Sequence, residues 1–111
     1  MAERLLVAKC VQKNQAISSE EADGVYNMLH KILEDGQKVI LDFAGISLLI
    51  SSFLNSAVGR LYGDFKPNIT DDSVSFVNLD ARDEYILRMV IGRAKDYHNN
   101  KSLIDAIVSS A

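Results

Sequence analysis

A chain of 111 residues and 12.3 kDa has the size of one domain, and it can bury roughly two thirds of its unfolded surface around one core without staples. Hydrophobic residues at 48%, charged residues at 24% and a net charge of −3 without a long run of either sign describe an ordinary globule with little grip on nucleic acid or an anionic membrane. The single cysteine, Cys10, excludes a disulfide framework. The start, Met-Ala-Glu-Arg, has no signal-peptide character, and no segment approaches about 18 consecutive apolar residues, so a cytoplasmic chain without a membrane span is expected.

Strand and helix patterns alternate, which predicts an α/β fold with a small, mainly parallel sheet. The whole chain, 1–111, reads as one domain, with a core over 4–98 and an amphipathic segment over 101–111. Leu5 to Val11 is almost continuously apolar and reads as a strand covered on both faces, with Cys10 as a small buried hydrophobe. Gln12 to Ile17 is a polar connection. Ser18-Ser19-Glu20-Glu21 offers a capping box. Ala22, Val25, Tyr26, Leu29, Ile32 and Leu33 then recur at helical steps, and Gly36 supplies the left-handed cap that ends the helix.

Val39 to Phe43 is the second strand, followed by a turn through Gly45 and a helix opened by Ser51-Ser52. Leu54, Ala57, Val58, Leu61 and Tyr62 form its apolar stripe, and Gly63 and Pro67 forbid its continuation. Residues 63–73, with Asp71-Asp72, read as a surface loop. Val74 to Leu79 is the third strand. Asp80 caps a long helix from Ala81 to about Tyr97, with a core stripe of Tyr85 or Ile86, Met89, Val90, Ala94 and Tyr97. Leu87 and Ile91 make a second stripe on an adjoining face. Asn99-Asn100 breaks the pattern, and Leu103, Ile104, Ile107 and Val108 fit a short terminal helix. Three strands leave two open edges, so a homodimer is one expectation.

Ligand sites in open α/β sheets lie beyond the carboxyl ends of the strands, where Asp42 and Asn78 stand. Ser51 and Ser52 place two hydroxyls beside the free amides of a helix start. That position suits both capping and a phosphate. His30 and His98 are far apart and give no zinc spacing with Cys10. Ser51, His30 and Asp42 lack the G-x-S-x-G elbow of a nucleophile, and the glycines do not form a phosphate loop. No catalytic residue, metal or cofactor is expected.

The run V-I-L-D-F-A-G-I followed by L-L-I-S-S-F-L resembles the STAS domain of bacterial anti-sigma-factor antagonists. The resemblance covers roughly Ser18 to Ala94. It puts Ser51 on the serine phosphorylated in that family, Ser52 on the serine after it and Leu54 on the motif leucine. Ile50 stands where the motif has aspartate, and Phe53 where it has glycine. The phenylalanine is similar to a divergent branch, the STAS-like family of unknown function, in which a Val-Asn such as Val77-Asn78 also recurs. Asn55 and Ser56 replace the acidic pair usual there.

The resemblance implies a bacterial, non-enzymatic signalling module that switches protein partners. Ser51 and Ser52 are the candidate phosphorylation sites, and Asp42, Phe53, Asn55 and Asn78 the candidate residues for binding a partner or ligand. The partner would be a serine kinase of the ATPase fold or an anti-sigma factor. Two other readings stay open. One is a nucleotide- or anion-binding domain that uses Asp42, Ser51 and Asn78. The other is a structural subunit that dimerises through Leu87, Ile91 and residues 103–108.

Overall fold

The computed structural model describes residues 3–12 and 14–110, with side chains described as far as Tyr97. In chain order, β1 (Glu3–Leu6) leads into α1 (Val7–Val11), the short β2 (Gln15–Ala16), α2 (Ser19–Glu34) and β3 (Val39–Asp42). Next come β4 (Leu48–Leu49), α3 (Ser51–Leu54), a π-helical stretch (Asn55–Gly59) and α4 (Leu61–Asp64). The chain continues through α5 (Pro67–Ser73), β5 (Val74–Val77) and α6 (Ala81–Ser110).

β1, β3 and β5 form a parallel sheet with β3 in the middle, and β2 pairs with β4 in a separate two-residue ladder. Leu5, Leu41 and Phe76 share one level of the sheet, and Leu6, Asp42 and Val77 the next. Side chains alternate across a sheet, so these two sets face opposite ways. Val39, Leu41 and Val74 point into the core. Leu6, Ile40 and Val77 are half-buried and lie outside the core cluster, so the second face of the sheet is only partly covered.

The α2 helix follows its sequence signals. Ser18 accepts a hydrogen bond from the Glu21 amide at 3.4 Å, and Ala22, Val25, Leu29, Ile32 and Leu33 are buried along one stripe. Gly36 closes the helix at φ 74°, with its amide donating to the Leu33 carbonyl. Such a backbone costs a residue with a Cβ roughly 1–2 kcal/mol. At the other long helix, Asp80 accepts from the Asp83 amide at 2.8 Å and so caps the start of α6.

Four sequence expectations are corrected. Leu5–Val11 is not one strand: β1 stops at Leu6, and Val7–Val11 turns helical with Val7 and Val11 buried four residues apart. A short apolar run satisfies either period, and packing decides between them. Residues 63–73 are not a loop, because Pro67 sits in the first turn of α5. Proline blocks a helix that precedes it and favours one that follows.

The tandem Asn99-Asn100 does not end α6, which runs from Ala81 to Ser110. Asparagine in a helix costs only about 0.7 kcal/mol relative to alanine, and unlike proline it keeps the backbone donor. The side chains of residues 103–108, with those of His98 and the asparagine pair, lie outside the described residues. The buried stripe of α6 also differs. Leu87 and Val90 are buried and Ile86, Ile91 and Ala94 pack partly, while Tyr85, Met89 and Tyr97 are exposed. No described helix is long and apolar enough to cross a membrane.

Candidate functional site

Asp42 and Asn78 meet at the carboxyl end of the sheet, as their strand positions predict. The Asp42 carboxylate accepts from Arg4 Nε at 2.9 Å and an Arg4 terminal nitrogen at 2.6 Å, from the Ala44 amide at 2.9 Å and from Asn78 Nδ2 at 2.8 Å. Asn78 adopts a left-handed backbone, φ 62°, a conformation asparagine tolerates better than most residues. The Asn78 bond, then the Ala44 amide and then Arg4 hold the carboxyl down to about 2. Asp42 itself is buried. Four donors occupy about four acceptor sites, so no lone pair remains for a ligand or cation. The pair ties β1 to the exits of β3 and β5 and does not form an open pocket.

Ser51 and Ser52 are the first two residues of α3, and both are exposed. The N-cap is Ile50, in extended conformation, so neither hydroxyl caps the helix. Neither makes a side-chain hydrogen bond among the described residues. Ser51 lines a groove of about 400 Å³ between the β4–α3 junction and α6, together with Ile50, Arg82, Ile86, Met89 and Arg93. The anion site expected from Asp42, Ser51 and Asn78 is therefore not assembled, because Asn78 lines a different depression, beside Phe76 and Leu87.

Phe53 and Asn55 part company. Phe53 is 1% exposed and packs in the core, which removes it from the contact surface. Asn55 is exposed and opens the π-helical stretch, whose i→i−5 bond runs from the Arg60 amide to the Asn55 carbonyl at 3.2 Å. Such insertions are frequent at functional sites. Asn55 lines a second groove, of about 550 Å³, with Tyr26, Arg60, Asp64, Arg93 and Tyr97. There the Tyr26 hydroxyl donates to Asp64, and Arg60 binds Asp23 at 2.7 Å while its guanidinium sits 3.8 Å above the Tyr26 ring. Burial and the Asp64 carboxylate both raise the pKa of Tyr26, against the opposing charge of Arg60.

Several residues escaped the sequence reading. Asp71 does not lie in a surface loop but in α5, where it accepts from the Tyr62 hydroxyl at 2.7 Å and from Lys95 at 2.7 Å. Burial, then Asp71, pushes the Tyr62 phenol well up. Burial opposes ionisation of Asp71, but the donors from Lys95 and Tyr62 outweigh it and lower the carboxyl. Arg82 reads in sequence as part of a solvated first turn, and Arg93 carries no local signal. Their eleven-residue spacing, close to three helical turns, is the one sequence clue that they share a face. His30 lies between the rings of Tyr26 and Phe65 and faces Glu34 at 3.3 Å. No cluster of three metal-ligating side chains occurs among the described residues.

A family model described as "STAS-like domain of unknown function (DUF4325)" matches residues 21–84, more than half of the chain. No curated protein matches it significantly, and neither does any solved structure.

Proposed function

Because the chain belongs to the STAS-like domain family of unknown function, and because its Ser51-Ser52 pair stands exposed at a helix start, we propose that it is a non-enzymatic interaction module whose contact surface centres on that pair. One observation carries this reading: two adjacent hydroxyls occupy the first turn of α3 without capping it or bonding to any described side chain. They contribute nothing visible to the fold and are open to a partner.

Ser51 serves as the phosphorylation switch, with Ser52 as the neighbouring acceptor. A phosphate adds close to two negative charges and three acceptor oxygens. On Ser51 it enters the groove that Arg82 and Arg93 also line. There it changes both the charge and the shape that a partner meets. A serine kinase of the ATPase fold, or an anti-sigma factor, is the partner class that the resemblance favours.

The test is co-purification from the host with the wild type, the double alanine variant (Ser51→Ala, Ser52→Ala) and the double aspartate variant. Intact mass spectrometry of the recovered wild type runs in parallel. The expected outcome is a partner shared by the wild type and the alanine variant, lost or exchanged in the aspartate variant, and phosphate on Ser51 or Ser52. Identical partners for all three proteins refute the switch.

A further inference from the structure

Arg82 and Arg93 stand eleven residues apart on α6. At 1.5 Å and 100° per residue, that is about 16 Å along the axis and three turns plus about 20°, so both project from one helix face. Ile86 and Met89 lie between them on that face, and Ile50 and Ser51 form part of the opposing wall. The groove is apolar along its length and cationic at both ends. Met89 remains 37% exposed there although it is a large apolar side chain.

Among the described residues, the guanidinium groups at the ends also hold no carboxylate by a direct bond. Arg4, Arg60 and Arg88 each hold a carboxylate, on Asp42, Asp23 and Glu84. Among the described residues, neither Arg82 nor Arg93 makes a hydrogen bond or an ion pair. Arg82 acts on its neighbour Asp83 only through space. In a chain with 15 acidic residues and a net charge of −3, these two guanidinium groups flank an apolar strip without a hydrogen-bonded carboxylate among the described residues.

We infer that this groove docks an extended segment of a protein partner in which two carboxylates flank an apolar side chain, in the pattern acidic-x-apolar-x-acidic. In a strand, residues i, i+2 and i+4 point the same way and span about 13 Å; the flexible arginine side chains cover the remaining few ångströms. The inference rests on the interaction-module reading and names the chemistry of the partner. A phosphate on Ser51 enters the same groove and competes with such a segment for the arginines. A basic segment is repelled. The exposed ion pairs set register and encounter rate more than affinity, and the apolar centre supplies most of the attraction.

The probe is a blocked pentapeptide, Glu-Thr-Leu-Thr-Glu, titrated to millimolar concentration into the isotope-labelled full chain and followed by amide chemical shifts. Shifts are expected at Ile50, Ser51 and Ile86 through Arg93. Reversing both charges (Arg82→Glu with Arg93→Glu) should weaken binding roughly tenfold, because repulsion at both ends replaces two weak attractions. The reversed protein should instead take the corresponding peptide with lysine in place of glutamate. Arg88→Glu, away from the groove, should bind as the wild type does.

No shifts at the groove, equal binding of the lysine peptide to the wild type, or indifference to the reversal overturns the inference. So does a wild-type dimer that the double reversal makes monomeric, since a second copy is then the occupant. If the peptide fails while the aspartate variant at Ser51 and Ser52 still loses its partner, the groove assignment falls and the interaction module stands. If the peptide binds and the serine variants keep every partner, the switch falls alone.

Discussion

Truncating Phe53 separates a packing residue from a contact residue. The side chain is 1% exposed and ranks among the largest that the core encloses completely. Phe53→Ala removes a ring from a close-packed interior, at a cost of about 3–5 kcal/mol in lost transfer energy and residual cavity. That is a large share of the roughly 5–15 kcal/mol that holds a domain together. With an unfolding entropy of about 2.1 cal/mol/K per residue, 111 residues give about 0.23 kcal/mol/K, so a loss of about 4 kcal/mol lowers Tm by about 17 °C. Phe53→Leu keeps most of the apolar volume and should cost about 1–1.5 kcal/mol, or roughly 5 °C. Urea unfolding followed by circular dichroism measures both, with the midpoint falling and the slope unchanged. A loss below about 1 kcal/mol for Phe53→Ala, or equal losses for both variants, refutes the assignment of Phe53 to the core.

Three further outcomes follow from the same geometry. Asp42 has its carboxyl lowered from 3.8 to about 2 in the fold, so the folded state binds the proton less tightly than the unfolded chain. Its contribution is complete above the ordinary value and is lost as pH falls through about 2. Asp42→Asn should therefore be less stable than the wild type at neutral pH, and urea midpoints should show that gap narrowing in acid. Tyr62 is shifted the other way, so its contribution is complete below the ordinary phenol value of 10 and fades as pH rises above it. Tyr62→Phe should lose about 0.5–1.5 kcal/mol near neutrality and show a smaller alkaline loss in thermal melts. The glycines of the α2 region should give opposite signs. Gly36→Ala, at φ 74°, should destabilise by roughly 1 kcal/mol, whereas Gly24→Ala, inside the helix with no atom within 4 Å of the added Cβ, should stabilise by up to about 1 kcal/mol. Denaturant midpoints of the two variants check both signs.

Much of this molecule is legible without coordinates where the controlling forces act within a few residues. Ser18 caps the amide three positions on, the α2 stripe repeats every three or four residues, and Gly36 supplies its own left-handed turn. The helix start at Ser51 and the strand at Val39 belong to the same class of signal, as does the kinship visible across residues 21–84. Those features follow from backbone sterics and local periodicity, which any short window of the chain contains. Tertiary packing alone decided that Leu5–Val11 divides at Leu6, that Leu87 rather than Tyr85 faces inward, and that Phe53 is core. It also decided which polar groups meet: Asp42 joins Arg4 and Asn78 across separations of 38 and 36 residues, and Ser51 shares a groove with Arg82 and Arg93. Such meetings depend on strand order and on which helix face turns toward the sheet. Those are set by the burial energy of the whole chain, and no local stretch of residues encodes them.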